Sequence, residues 1–294
     1  MNNQYGSFAS ILISFLLVYM AYSYLGPVGG IISLLLVLAF LVWKNRSIIY
    51  QNSANKKYLN GDFNGALNDL NKAVSLDPKS SGVRGTYAYL LLKLGRTEEA
   101  SAQIDEALKT ALPSDKNLLI QTKALILWKQ GRIDEAISEM EDLLKVYENT
   151  NVYAVLGLLY LKKGDYDKAL EFNLQAEDFN GSNAMILDNL GASYYFKGEY
   201  EKANEIYERV MKLKPVFPEA FYNYARVLDK LGDTEKAIEM AKHALTLKFW
   251  HISAADKEEV ELFLEELKKR TADTDTQGNK ENTDKESPEQ TETK

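Results

Sequence analysis

The chain has 294 residues, 35 lysines and arginines against 42 acidic residues, and no cysteine. The length supports one or two sizeable cores, and the missing cysteines exclude disulfides, thiolate metal sites and a cysteine nucleophile. A formal charge of -7, with no basic stripe on any predicted face, argues against nucleic acid as a partner.

That charge is unevenly distributed: residues 1-43 carry none, residues 44-270 are mixed and periodic, and residues 271-294 hold seven acids and three bases. In the uncharged front, Phe8 to Leu25 and Val28 to Trp43 are apolar runs separated by Gly26 and Pro27, a pair that breaks helices. One unbroken helix over both would reach roughly 54 Å, beyond a hydrocarbon core of about 30 Å. The expected arrangement is therefore a two-helix transmembrane hairpin. It forms a membrane anchor over 1-46, with spans near 8-25 and 28-43, so that the lipid bilayer is a partner through residues 8-43. Tyr5, Tyr22, Tyr24 and Trp43 would sit at the interfaces.

The competing readings of the front are a secretory signal peptide, for which MNNQYGSF lacks the basic n-region, and a re-entrant insertion. Lys44, Arg46, Lys56 and Lys57 all follow the second run, while the turn between the runs is uncharged. This predicts a multi-pass protein of a bacterial cytoplasmic membrane with both termini cytoplasmic. Between Gly30 and Gly61 there is neither Gly nor Pro, so the second span either continues into the next helix or kinks near Asn45.

Beyond the anchor, Gly61, Gly95, Gly131, Gly164, Gly198 and Gly232 recur at intervals of 34, 36, 33, 34 and 34 residues. Five residues after each stands Ala66, Ala100, Ala136, Ala169, Ala203 or Ala237, and seven before each stands Ala54, Ala88, Ala124, Gly157, Gly191 or Ala225. Each Gly is expected to end one helix in the left-handed conformation, and the polar residue after it to open the next. Two antiparallel helices approach closely only where side chains are small, which these two columns provide. Bulkier apolar residues, such as Ile120, Leu187 and Phe221 eleven before the Gly and Leu91, Leu127 and Leu228 four before it, would fill the space between units. Arg84 and Lys57 break those columns.

This period, with the G-x-x-x-x-A core, a further alanine at Ala73, Ala107, Ala176 and Ala244, and prolines at Pro78 and Pro215, resembles the tetratricopeptide repeat over residues 47-249. The third and fourth repeats depart from the pattern, with Leu143 in place of the later alanine in one and no closing proline in either. The resemblance implies an all-α superhelical solenoid of about six helical hairpins, starting near 47, 81, 117, 150, 184 and 218. Residues 250-270 read as a capping helix, with Val260, Phe263, Leu264 and Leu267 at helical spacing and an Asp256 and Glu259 capping box. Residues 271-294 read as a disordered acidic tail.

No Walker motif, G-x-G-x-x-G or serine elbow occurs, and the two histidines, His243 and His251, lack zinc-ligand spacing. No enzyme activity, cofactor or metal is expected. What remains is a surface. By resemblance to the family, the first helices line a concave groove through positions ten, nine, six and three before each Gly.

Nine before the Gly stand Asn52, Thr86, Thr122, Val155, Asn189 and Asn223, whose polar side chains would hydrogen-bond the backbone of an extended peptide. Six before stand Asn55, Tyr89, Leu125, Leu158, Ala192 and Arg226, and three before stand Tyr58, Leu92, Trp128, Leu161, Tyr195 and Asp229. The ten-before column, Gln51, Gly85, Gln121, Ala154, Asp188 and Tyr222, has no lysine, which disfavours a clamp for a terminal carboxylate. Aromatic anchors beside amides suit a peptide with apolar side chains; the plainer alternative is that several of these residues pack against neighbouring helices or face water.

The expected function is a membrane-anchored scaffold or adaptor that binds proteins or peptides at the cytoplasmic face. The alternative is a chaperone-like receptor or assembly factor for exported or membrane proteins.

Overall fold

A computed structural model describes the backbone of residues 2-285 and the side chains of residues 12-272. The side chain of Tyr5 and residues 286-294 of the acidic tail lie outside the described residues. Among those described there are fourteen helices and no strand. The chain divides into two compact units, Met1–Tyr87 and Ala88–Lys294.

The first unit opens with α1 (Asn2–Lys44), whose helix is interrupted at Gly26, at φ 71° and ψ -169°, just before Pro27. A β-carbon on Gly30 would fall 3.0 Å from the Cβ of Tyr22. Two residues eight apart in one straight helix stand about 12 Å apart, so the chain folds back sharply at Gly26. By length and composition one helical stretch, Leu12–Lys44, is apolar enough to cross a membrane. Tyr22, Tyr24 and Trp43 are exposed on it.

A single residue, Asn45, separates α1 from α2 (Arg46–Leu59). Asn45 has φ -98° and ψ 11°, and its side-chain amide donates to the Leu41 carbonyl at 2.8 Å. The break is thus a local kink with its own hydrogen bond. α2 pairs with α3 (Phe63–Leu76) through Ala54 and Ala66, which are both buried. Lys57, which breaks the apolar column, forms an ion pair at 2.7 Å with the buried Asp69, to which Ser53 also donates. α4 (Ser81–Lys93) begins in this unit and ends in the second.

The second unit continues with α5 (Thr97–Thr110), α6 (Pro113–Lys129), α7 (Ile133–Leu144), α8 (Thr150–Lys163), α9 (Tyr166–Asn180), α10 (Ala184–Phe196), α11 (Tyr200–Lys212), α12 (Pro218–Lys230), α13 (Thr234–Thr246) and α14 (Lys257–Lys285). Within it α6 packs on α8, α8 on α10 and α10 on α12, while α6, α8, α10 and α12 each pack on the helix that follows. The first helices therefore form one layer and their partners another.

All six turn glycines have φ between 78° and 85°. At each, the Gly amide donates to the carbonyl three residues back, as the Gly164 amide does to Leu161, closing the helix end that would otherwise leave carbonyls unpaired. The next helix opens in two ways. Asp62, Asp165 and Asp233 cap it with their carboxylates, whereas Arg96 and Arg132 chelate Glu99 and Glu135 three residues on and Glu199 pairs with Lys202.

The alanines five after each Gly are wholly buried. Glycine replaces alanine in the earlier column where the facing side chain is large. A Cβ on Gly191 would meet the Tyr207 ring at 2.7 Å, and one on Gly157 would meet Asn173 Oδ1 at 2.0 Å. The residue exchanged for a methyl is thus a buried ring or amide on the paired helix.

One expectation at the C-terminal end is corrected. Glu259 does not complete a capping box with Asp256, because its carboxylate accepts the Tyr222 hydroxyl at 2.9 Å. α14 itself runs from Lys257 to Lys285. Val260, Leu264 and Leu267 anchor its first half, and extending a formed helix requires no new nucleus.

Candidate peptide-binding groove

Two residues before the turn glycines of α4, α6 and α8 stand Lys93, Lys129 and Lys162. The segment joining α13 to α14, residues 247-256, lies against all three of these helix ends. Lys93 Nζ sits 3.9 Å from the centroid of the Trp250 ring, and Lys248 Nζ lies 4.2 Å from it. The His251 amide donates to the Lys93 carbonyl at 3.2 Å, and the His251 ring nitrogen Nε2 lies 3.2 Å from Thr97 Oγ1.

Further along, Lys129 donates to the Ser253 carbonyl at 3.2 Å and Lys162 donates to the Ala254 carbonyl. The Ala254 amide in turn donates to the carboxylate of Glu219, on α12, at 2.7 Å. A turn inside the segment is closed by the Ser253 amide on the Trp250 carbonyl at 2.9 Å. Loss of surrounding water holds Lys129 and Lys162 below the usual lysine range, opposed by Asp256 at Lys129 and by Glu259 at Lys162. Burial, with Lys129 adding to it, likewise lowers the His251 imidazole.

Beneath Ala254 and Ala255 is a cavity of about 310 Å³, walled by Leu158, Leu161, Asp188, Tyr222 and Arg226. A second, of about 230 Å³, lies between Tyr89, Leu158, Phe217, Trp250 and Ile252. Asp188 accepts hydrogen bonds from the Tyr207 hydroxyl and the Asn223 amide, both at 3.1 Å. Burial pushes its carboxyl up to about 7; the Asn223 amide opposes that rise and nearby Glu219 adds to it. A larger cleft of about 620 Å³ is lined by Phe221, Tyr224, Met240 and His243, away from this segment.

The expected groove residues divide between the units. In the first unit Asn52, Asn55 and Thr86 are exposed, Tyr58 packs edge-on to Phe63 at 5.4 Å, and Thr86 donates to the Gly82 carbonyl of its own helix. In the second, Tyr89, Leu158, Leu161, Asn189, Tyr222, Asn223 and Arg226 all line one or both of the smaller cavities. Thr122 is buried and bonded to its own helix, and Trp128 lies beneath the Lys129 ammonium at 4.1 Å. The Arg226 guanidinium stands 4.3 Å from the Tyr195 ring centroid and 5.6 Å from that of Tyr222.

Asn189 is buried and donates to the Ala154 carbonyl on the preceding first helix at 2.8 Å, so its amide joins neighbouring hairpins. The amides expected as a row along a peptide are engaged inside the protein at Asn189 and Asn223. The groups that meet the main chain of residues 251-254 are the Lys93 carbonyl, the Lys129 and Lys162 ammoniums and the Glu219 carboxylate, which sequence reasoning did not single out. The His243 ring lies tilted against Phe221 with centroids 4.2 Å apart, and among the described residues no group of three or more His, Cys, Asp or Glu is placed to hold a metal ion.

Models of the tetratricopeptide repeat match residues 58–116, 122–184 and 197–247, more than half of the chain. The chain belongs to the tetratricopeptide repeat family. Among curated proteins it is similar to a peroxisomal targeting signal receptor of Saccharomyces cerevisiae, 28% identical over 178 residues, or 58% of this chain and 28% of that protein. The tetratricopeptide repeat chain thus spans little more than a quarter of that relative.

Among solved structures, a tetratricopeptide repeat protein from Parabacteroides merdae superposes with a TM-score of 0.64 at 16% identity, covering 86% of this chain and 98% of the other. PilW, described as a type IV pilus biogenesis factor, gives 0.56 at 15% identity, covering 68% and 92%. At such identities the likeness establishes the all-α tetratricopeptide repeat solenoid fold and nothing further, and the family places the chain among mediators of protein–protein interaction.

Proposed function

We propose that this protein is a membrane-anchored tetratricopeptide repeat scaffold or adaptor that binds an extended segment of a partner protein in the groove of its second unit. The observation that carries the reading is the set of main-chain hydrogen bonds that Lys129 and Lys162 donate to the carbonyls of residues 253 and 254 and that Glu219 accepts from the amide of residue 254. Groups so directed recognise a peptide irrespective of its sequence, while cavities beside them select side chains. Tyr89, Leu158 and Arg226 supply aromatic, aliphatic and cationic walls for such selection. Binding rather than catalysis is proposed, because the convergent polar groups act on main-chain atoms and on one another.

The anchor in this reading is the apolar front, with its two arms turned at Gly26 as a transmembrane hairpin and both chain ends on the cytoplasmic side. Lys44, Arg46, Lys56 and Lys57 beyond the second arm support that orientation. A second reading, a receptor for segments of exported or membrane proteins, is favoured by the similarity to a targeting signal receptor.

The test uses the full chain in lipid nanodiscs, screened against a displayed library of short peptides. Selected peptides should lose about tenfold in affinity, some 1.4 kcal/mol, when Lys162→Ala and Glu219→Ala are combined. Equal binding by the chain and the double variant would overturn the groove as the site. Maleimide labelling of a Gln277→Cys variant from outside intact cells would overturn the cytoplasmic assignment.

A further inference from the structure

The segment across the groove, residues 247-256, forms neither helix nor strand. Its polar hold on the groove runs through long, flexible lysine side chains, one carboxylate, one ring under an ammonium and the His251 amide and ring on Lys93 and Thr97, while Phe249 and Ala255 pack on the core. Of residues 249-255 only Ala255 is buried, and His251 is exposed. By contrast, the hairpins behind it are joined through side chains that water does not reach, among them Leu156, Leu187 and Tyr207.

The segment also underfills its place. Ala254 borders both cavities, about 310 and 230 Å³, and offers them a single methyl group. A methyl cannot make the dispersion contacts that such a space offers. A partner peptide holding the same main-chain positions with a larger side chain there would gain contacts that the chain's own segment forgoes.

We propose that residues 249-255 are an internal ligand, a displaceable stand-in for a partner's extended segment that carries an aromatic residue at the Trp250 position and a bulkier side chain at the Ala254 position. This rests on the groove being the binding site, and adds to it the partner's pattern and the reason the free protein is restrained. The partner is held through internal carbonyl and amide groups, so it needs no free terminus. Binding proceeds only as the internal segment leaves, so the apparent affinity is the intrinsic affinity multiplied by the fraction of molecules whose groove is open.

The experiment uses the full chain in nanodiscs and two blocked, fluorescent peptides, LKFWHISAAD and the same sequence with leucine at the position of Ala254. A variant combining Trp250→Ala and Ala254→Pro loses the ring and the amide that fasten the segment, and leaves every groove residue in place. It should bind both peptides at least tenfold more tightly than the unaltered chain, with the leucine peptide the tighter. A second measurement does not depend on that variant folding: Ser253→Cys gives the otherwise cysteine-free chain one thiol, whose maleimide labelling should accelerate several-fold when the leucine peptide is added.

Peptide bound with the thiol still protected would overturn displacement while leaving the groove reading intact. Failure of both peptides to bind the released variant, while library peptides bind through Lys162 and Glu219, would overturn the proposed pattern alone. If neither these peptides nor the library binds, the groove reading itself fails, and this proposal with it.

Discussion

At the six turns the protein repeats itself: a glycine near φ 80°, a hydrogen bond to the carbonyl three residues back, and an alanine five residues on with no exposed surface. Along the inner ends of the first helices nothing repeats for long. Two residues before the glycines the chain has Leu59, Lys93, Lys129, Lys162, Phe196 and Lys230, and only the three lysines in the middle meet residues 250-254. The turns are uniform because every hairpin must solve the same packing problem. The inner faces vary, and only one stretch of them meets the segment that joins α13 to α14.

The sharpest way to break this comparison is to damage the packing layer beneath the groove. Tyr207 is wholly buried, its ring fits against Gly191, and its hydroxyl donates to Asp188. Tyr207→Ala should destabilise the protein by about 3 to 5 kcal/mol in urea unfolding, and the loss should exceed that of any substitution at an exposed turn position.

Next in size is the buried carboxyl itself. With its folded value at about 7 against an ordinary 3.8, Asp188 keeps its proton in the folded state where the unfolded chain has lost it. Stability from this group is therefore full below about pH 4, falls as pH rises toward 7, and levels off above, at about 1.4 kcal/mol per unit within that window. Asp188→Asn should flatten that decline and raise the thermal midpoint at pH 8 more than at pH 5, since an amide oxygen still accepts from Tyr207 and Asn223. An equal shift at both pH values would show that the site does not titrate as described.

A smaller effect is expected at the turns. Gly164 has φ 83° with open space where a β-carbon would be, so Gly164→Ala should cost about 1 kcal/mol from backbone conformation alone. Arg132→Ala, which removes a fully exposed pair with Glu135, should leave the thermal midpoint unchanged.

The turns were legible in the sequence for the reason that makes them stable. A left-handed residue selects Gly, close helix approach selects Ala, and both leave a mark at a fixed spacing. Even the exceptions had local causes, since Gly157 and Gly191 give way to Asn173 and Tyr207. The groove was only partly legible. Tyr89, Leu158, Leu161, Tyr222 and Arg226, singled out by their spacing before the glycines, line the two cavities.

Lys93, Lys129 and Lys162 were hidden because lysine in the last turn of a helix is already explained by the helix dipole. Residues 249-255 were hidden because their partners are remote in the chain: Ser253 meets a lysine 124 residues away, a separation that no local period encodes. Asn189 illustrates the converse. Its position in a polar column suggested a peptide contact, whereas its amide bonds Ala154 in the neighbouring hairpin.

Amide hydrogen exchange across residues 249-255 of the full chain, followed residue by residue, tests most directly whether the groove holds a peptide main chain. The amides of His251 and Ala254, which donate to the Lys93 carbonyl and to Glu219, should exchange at least about tenfold more slowly than unstructured chain. The His251 amide should lose that protection when Trp250→Ala is introduced, and the Ala254 amide when its acceptor is removed by Glu219→Ala. Exchange at unprotected rates throughout 249-255 in the unaltered protein would contradict the account.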